Sequence, residues 1–174
     1  MPASWRLRVQ GHELQLGGHC LGSFLLTKLL TPKLEAAAAL EPAAAVHLVW
    51  LTSFSAEIFC EKDVVFDMKN LDYHVQKPGV YRYGISKAGA WVYGVEFARR
   101  YRTAGIANAP LNPGNLRTML FDSQGSMMRV LNAVVLTPML NGVCTILFAA
   151  LSPKVTMDKS GSWIKLRIPC ADEY

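Results

Sequence analysis

An alternating α/β fold with parallel strands follows from three features of this 174-residue sequence. Helical patterns alternate with short apolar runs. The first run, Val46 to Leu51, is of strand-forming types and reads as a buried parallel strand, and Ile106 to Leu111 is a second short strand candidate. The second run ends in Asn112-Pro113-Gly114, a loop at the carboxyl end of a strand, where open α/β sheets place ligands. An order of helix, strand, helix, strand, helix makes the helices crossovers between parallel strands.

From His12 to Leu30, Leu14, Leu16, Leu21, Phe24, Leu25 and Leu29 recur at spacings that predict a buried helix, which Pro32 ends. A loop with the alanine run Ala36 to Ala39 and Pro42 follows. Val46, Leu48, Val49, Trp50 and Leu51 then form a buried strand stopping at Thr52 and Ser53. Polar residues, Pro78 and Gly79 occupy much of the segment from Glu57 to Gly79. Tyr83 to Tyr101 reads as a helix closed by Gly105, and Ile106 to Leu111 as a second strand. Helical character resumes around Gln124 and runs, broken near Pro138, to Leu151; a polar tail extends from Ser152 to Tyr174. Neither an internal repeat nor a linker divides the chain, so residues 1–174 are read as one domain. Two or three strands leave sheet edges and an apolar face open, which implies missing partner strands, a homo-oligomer or poor solubility.

A hydrophobic content of 51% with 18% charged residues fits a folded globular chain. The net charge of +5 is spread through Arg6, Arg8, Lys28, Lys33, Arg99, Arg100 and Arg102 without a basic run or aromatic platform, so nucleic-acid binding has no support. Cys20, Cys60, Cys144 and Cys170 are far apart and form no Cys-x-x-Cys pair, and Met1 to Gln10 lacks the apolar core of a signal peptide. Reduced thiols in an intracellular, cytoplasmic protein are the expectation. His12, His47 and His74 have no metal-ligand spacing, so no metal is expected. Val130 to Pro153 carries no charged side chain and is long enough to span a bilayer. Asn132, Thr137, Pro138, Asn141, Gly142 and Thr145 argue instead for two helical pieces in a soluble core.

Tyr83 and Lys87 lie four apart on a predicted helix and share a face. An ammonium about 4 Å from a phenol, at an effective dielectric near 20, stabilises the phenolate by about 4 kcal/mol before desolvation. A tyrosine tuned in this way can exchange a proton with a substrate oxygen near neutral pH. The spacing alone also describes an exposed helix pair. The surrounding order is more informative: one strand ends in the Ser53 hydroxyl, and the next runs into Asn112-Pro113-Gly114-Asn115-Leu116-Arg117-Thr118.

These segments resemble the short-chain dehydrogenase/reductase superfamily, particularly the branch with retinol dehydrogenases, WW-domain oxidoreductases and fungal secondary-metabolite reductases. HELQLGGHCLGSFLLTKLLTPKL resembles the family helix with its N-x-x-G-x-F-x-L-T core, and VHLVWLTSFSAE its serine strand. FDMKNLDY is similar to an insertion of this branch, YGISKAGAWVYGVEFARRY to the catalytic helix, and LNPGNLRT to the proline-glycine cofactor loop. The resemblance implies the C-terminal part of a Rossmann-like doubly wound parallel sheet lacking the N-terminal glycine-rich βαβ unit. It also implies reversible hydride transfer between NADP or NAD and a carbonyl or alcohol, in which the cofactor carries the hard chemistry.

Carried over by position, Tyr83 is the acid/base, Lys87 tunes it and bonds the nicotinamide ribose, and Ser53 holds the substrate oxygen. Pro113 and Gly114 shape the cofactor loop, while the backbone of Leu116 and the hydroxyl of Thr118 contact the nicotinamide end. The substrate is a small molecule. Phe121 and Met127, between Met119 and Met128, suggest an apolar pocket.

The sequence departs from the family at two places. His19 stands where the family has a relay asparagine; it either relays a proton or makes only a local hydrogen bond. No glycine-rich turn joins an opening strand to an opening helix, and Gly17, Gly18 and Gly22 follow no strand and suit close helix packing instead. About the first third of a typical doubly wound domain is therefore expected to be absent. The alternative is an inactive truncated reductase acting as an interaction or dimerisation module.

Overall fold

The computed structural model describes residues 11–60, 65–114, 116 and 138–165. Among these, three parallel strands form one sheet: β1 (Val46–Leu51), β2 (Ile106–Asn112) and β3 (Ile164–Lys165), in the order β1-β2-β3. The β1–β2 register runs from Val46 opposite Ile106 to Leu51 opposite Leu111. The central strand β2 is buried at every position.

Because side chains alternate across a strand, β2 serves two layers. Ala107, Ala109 and Leu111 pack with Ala149 and Val155, beneath the helix Met139–Leu151. On the other face, Trp50 lies 5.9 Å from the rings of Tyr93 and Phe97 on the helix Gly79–Arg100. A proline in a central strand normally costs a ladder bond. Here the Asn108 amide and carbonyl face Ser160 and Gly161 on the β3 side, so Pro110, two residues on, turns its missing N–H away from β1.

The first helical region opens as a π-helical segment, Leu16–Gly22, and continues as α1 (Ser23–Ala38). Pro32 does not end it, contrary to expectation, and the alanine run forms its last turn instead of a loop. Leu34, Glu35 and the alanines are strong helix formers, and the Thr31 hydroxyl donates to the Thr27 carbonyl at 2.8 Å. Nor is α1 buried in the chain: Leu25, Leu26 and Leu29 are 55–68% exposed.

Short α2 (Phe54–Phe59) leaves β1 directly; α3 (Gly79–Arg100) and a 3-10 turn, Arg102–Ala104, lead through Gly105 into β2. Between α2 and α3, the Asn70 side chain accepts from the Val75 amide and donates to the Val75 carbonyl, both at 2.8 Å, ordering the FDMKNLDY segment. The last helix, α4 (Met139–Leu151), starts after Pro138 as expected. His47 on β1 holds its end: Nδ1 lies 2.9 Å from the Ala149 carbonyl and Nε2 lies 2.8 Å from the Ala44 carbonyl. The supposed polar tail contains β3, too short to show a two-residue repeat.

No described helix is long and apolar enough to cross a membrane, and α4 takes thirteen residues of the uncharged stretch. Cys20 carries a free thiol, but Cys144 is disulfide-bonded, correcting the expectation of reduced thiols there. Cysteine spacing carries no information on such pairing. Thr118, Phe121, Gln124 and Met127 lie outside the described residues.

A mid-helix proline removes one backbone bond and crowds the preceding turn. Pro32→Ala therefore raises stability by about 1–3 kcal/mol, read as a higher thermal unfolding midpoint.

Candidate functional site

The carboxyl edge of β1 and β2 is where the candidate residues gather. The Thr52 amide donates to the Leu111 carbonyl at 2.9 Å, carrying the parallel pairing one residue past β1. Ser53 comes next, in extended conformation, as the N-cap of α2. Its hydroxyl oxygen accepts from the Ser55 amide at 3.3 Å and lies 3.4 Å from the Ser55 hydroxyl. A serine suits an N-cap because its oxygen satisfies an amide that the helix leaves unpaired.

Helix α3 carries Tyr83 and Lys87 over this edge, and two of its glycines set how closely neighbours approach. A Cβ on Gly84 would lie 2.6 Å from the Phe59 ring and 2.7 Å from the Ser55 carbonyl oxygen, so α2 rests on α3 at the residue after Tyr83. A Cβ on Gly89 would lie 2.0 Å from the Cys20 sulfur, so the π-helical segment docks there. Burial pushes the Cys20 thiol up to about 11, which leaves it a packing group and not a nucleophile.

That docking brings His19 to α3. Its Nδ1 lies 2.9 Å from the Ser86 hydroxyl, which itself donates to the Tyr83 carbonyl at 2.7 Å. Ser86 has a single proton, so His19 Nδ1 is the donor in this pair. The His19 and Tyr83 rings meet edge to face with centroids 5.6 Å apart. The His19 hydrogen bond is therefore not local: it runs to α3, 67 residues on in the sequence.

Lys87 places its ammonium 6.0 Å from the Tyr83 ring centroid. The same ammonium donates to the Leu51 carbonyl at 3.3 Å, at the end of β1 and two residues before Ser53. Burial holds its pKa below the ordinary lysine value of 10.5, because low-dielectric surroundings disfavour the charged form. At the end of β2, the Gly114 amide donates to the Asn112 side chain at 3.0 Å, with Pro113 between them. Leu116 packs on α4, where a Cβ on Gly142 would meet its Cδ1 at 2.2 Å.

The structure thus joins Lys87 to Tyr83 and to the strand that leads to Ser53, and sets the Pro113-Gly114 turn on the adjacent strand. Ser86 and the Leu51 carbonyl escaped the sequence reading. Ser86 had a local signal, its place one turn after Tyr83; a backbone carbonyl has none. The Lys87 ammonium at the carboxyl edge of β1 is the kind of donor that suits a ribose hydroxyl. Gly17, Gly18 and Gly22 belong to the π-helical segment and its packing, so among the described residues no glycine-rich strand-to-helix turn serves a pyrophosphate. No group of three or more metal-ligating side chains occurs among the described residues.

No family model matches the chain. It is 44% identical over 156 residues to a short-chain dehydrogenase/reductase of Phaeosphaeria nodorum, covering 90% of this chain and 50% of that protein. It is 39% identical over 151 residues to another from Emericella nidulans, covering 86% and 48%. The chain spans about half the length of the curated relatives it matches. Its fold is similar to that of the carbonyl reductase Sniffer of D. melanogaster, with a TM-score of 0.61, 16% identity and coverage of 94% of this chain and 58% of the other. An NADPH-bound carbonyl reductase from chicken fatty liver gives a TM-score of 0.59 at 17% identity, covering 91% and 58%.

A lysine held charged against burial costs the folded state stability, and this cost has a sign. The folded chain binds the Lys87 proton less tightly than the unfolded chain, so this residue's contribution to stability rises as pH climbs from its lowered value toward 10.5. Lys87→Met removes both the cost and the pH dependence. Its thermal midpoint is expected to be about 2–4 °C higher at neutral pH, with a flatter alkaline profile in scanning calorimetry.

Proposed function

Because the chain belongs to the short-chain dehydrogenase/reductase superfamily, we propose that it serves NAD(P)-dependent interconversion of a carbonyl and an alcohol on a small, apolar organic substrate. The supporting observation is the Lys87 ammonium, bonded to the Leu51 carbonyl at the root of Ser53 and lying beside the Tyr83 ring. In this reading Ser53 orients the substrate oxygen by hydrogen bonding. Tyr83 gives a proton to that oxygen during reduction and takes one during oxidation. Lys87 stabilises negative charge on the phenolic oxygen and bonds the ribose hydroxyls. His19, through Ser86, secures the backbone carbonyl of Tyr83, and its ring, edge to face with the Tyr83 ring, makes it the candidate relay for the phenolic proton.

Pro113, Gly114, the Leu116 backbone and the Thr118 hydroxyl hold the nicotinamide end of NADP or NAD, which supplies or receives the hydride when bound. NADPH is the first cofactor to test. The setting proposed is intracellular and cytoplasmic, and the fungal relatives point to a reductase of secondary metabolism.

The exposed leucines of α1 favour a second reading, in which this face joins another copy or a partner and the chain acts as an inactive interaction module.

Titration of the chain with NADPH, followed by tryptophan quenching, is expected to saturate; a linear, unsaturable response would overturn the enzymatic reading for this chain. Tyr83→Phe is expected to keep that binding and lower carbonyl reduction by at least about a hundredfold. For the second reading, light scattering on a size-exclusion column should give twice the monomer mass or more, falling to the monomer in Leu26→Glu/Leu29→Glu. A wild-type monomer rules it out.

A further inference from the structure

We infer that Glu57 is a positioning residue for Ser53, held by Trp163 and Lys165 at the third strand; this rests on the reading of Ser53 as the group that orients the substrate oxygen. Helix α2, which Ser53 caps, has six residues. A helix that short does not sustain itself in water, so its position depends on what grips it from outside. One grip is the seat on Gly84 of α3, made by Phe59 and the Ser55 carbonyl, with Ala56 buried beside it.

Glu57, one turn beyond Ser53, supplies a second grip. One carboxylate oxygen accepts from the Trp163 indole N–H at 3.2 Å, and the other accepts from the Lys165 ammonium. Both partners are more than a hundred residues away in sequence and belong to the segment that forms β3.

Trp163 is itself fixed. Its ring meets Trp91 edge to face with centroids 6.0 Å apart, and Trp91 lies one turn after Lys87 on α3. Contacts therefore close a ring around the site: Lys87 to the Leu51 carbonyl, Leu51 through Thr52 to Ser53, Ser53 to α2, Glu57 to Trp163, and Trp163 through Trp91 back to α3. With the Glu57 grip removed, α2 is held on one flank and can pivot on Gly84, carrying Ser53 with it.

The charges in this grip are partly exposed, with side-chain accessibilities of 55% for Lys165 and 28% for Glu57. Such a pair adds little to global stability. Its effect belongs to the placement of α2, and that separates the proposal from a general structural role.

The test uses the full chain, labelled with nitrogen-15, without cofactor or substrate. In Glu57→Ala the Trp163 indole resonance moves and amide-exchange protection of Ser55 falls about tenfold, while the unfolding midpoint stays within about 1 °C. Lys165→Met lowers Ser55 protection in the same direction, and Lys165→Arg restores it. Under turnover, Glu57→Ala lowers kcat about tenfold with little change in KM. Unchanged Ser55 protection in both Glu57→Ala and Lys165→Met overturns the proposal. Full turnover by Tyr83→Phe would instead sink the catalytic reading and leave the exchange result standing, so the two failures are told apart.

Discussion

The Thr52 amide bonded to the Leu111 carbonyl holds the two longer strands together one step beyond where β1 ends, and the candidate site is referenced to that step. Parallel pairing brings both carboxyl ends to one edge, so the serine that leaves β1 and the Pro113-Gly114 turn that leaves β2 come to the same edge of the sheet. The buried β2 makes this edge rigid, because every β2 side chain is packed on one face or the other. Lys87 then ties α3 to the same edge through a backbone carbonyl. A main-chain acceptor does not change with the identity of residue 51, so the tie belongs to the strand geometry.

Closeness is the second constraint. Helix α3 has neighbours that approach too closely for any side chain between them: α2 at Gly84 and the π-helical segment at Gly89. These contacts bracket Ser86 and Lys87 and begin next to Tyr83, and each delivers a polar group, Ser53 on one flank and His19 on the other. An enlarged residue at either glycine would move a polar group as well as a packing surface. The small residues of YGISKAGAWVYG thus set the geometry of the candidate site.

What the sequence made legible was whatever a local pattern encodes. Val46–Leu51 is a compact run of strand formers, Ile106–Leu111 a short segment between the Gly105 stop and the Asn112-Pro113-Gly114 turn, and Tyr83 and Lys87 sit at a spacing that only a helix brings together. Pro32 misled because its penalty was outweighed by the leucine and alanine content on both sides. Helix α2 and strand β3 were invisible for another reason: six residues and two residues are too few to repeat a helical or strand period often enough to be recognised, and tertiary contacts hold both. The apolar spacing from His12 to Leu30 was read correctly as a helix and wrongly as a buried one, because spacing cannot say whether the surface that would cover those leucines lies within the same chain. The ordered motifs of the site survived these errors because they concern strand ends and one helix.

The β1–β2 register also has a consequence in time. Each of its pairs, from Val46 with Ile106 to Leu51 with Leu111, joins residues sixty positions apart, and Trp163 and Lys165 reach back more than a hundred to Glu57. Closing loops of that size costs chain entropy before any ladder bond returns it, so this is a slow-folding topology. During synthesis the chain emerges with α1 complete and its leucines uncovered well before the central strand is available. The interval between those events is when the nascent chain is most open to association, and the chaperone demand of this fold is set there.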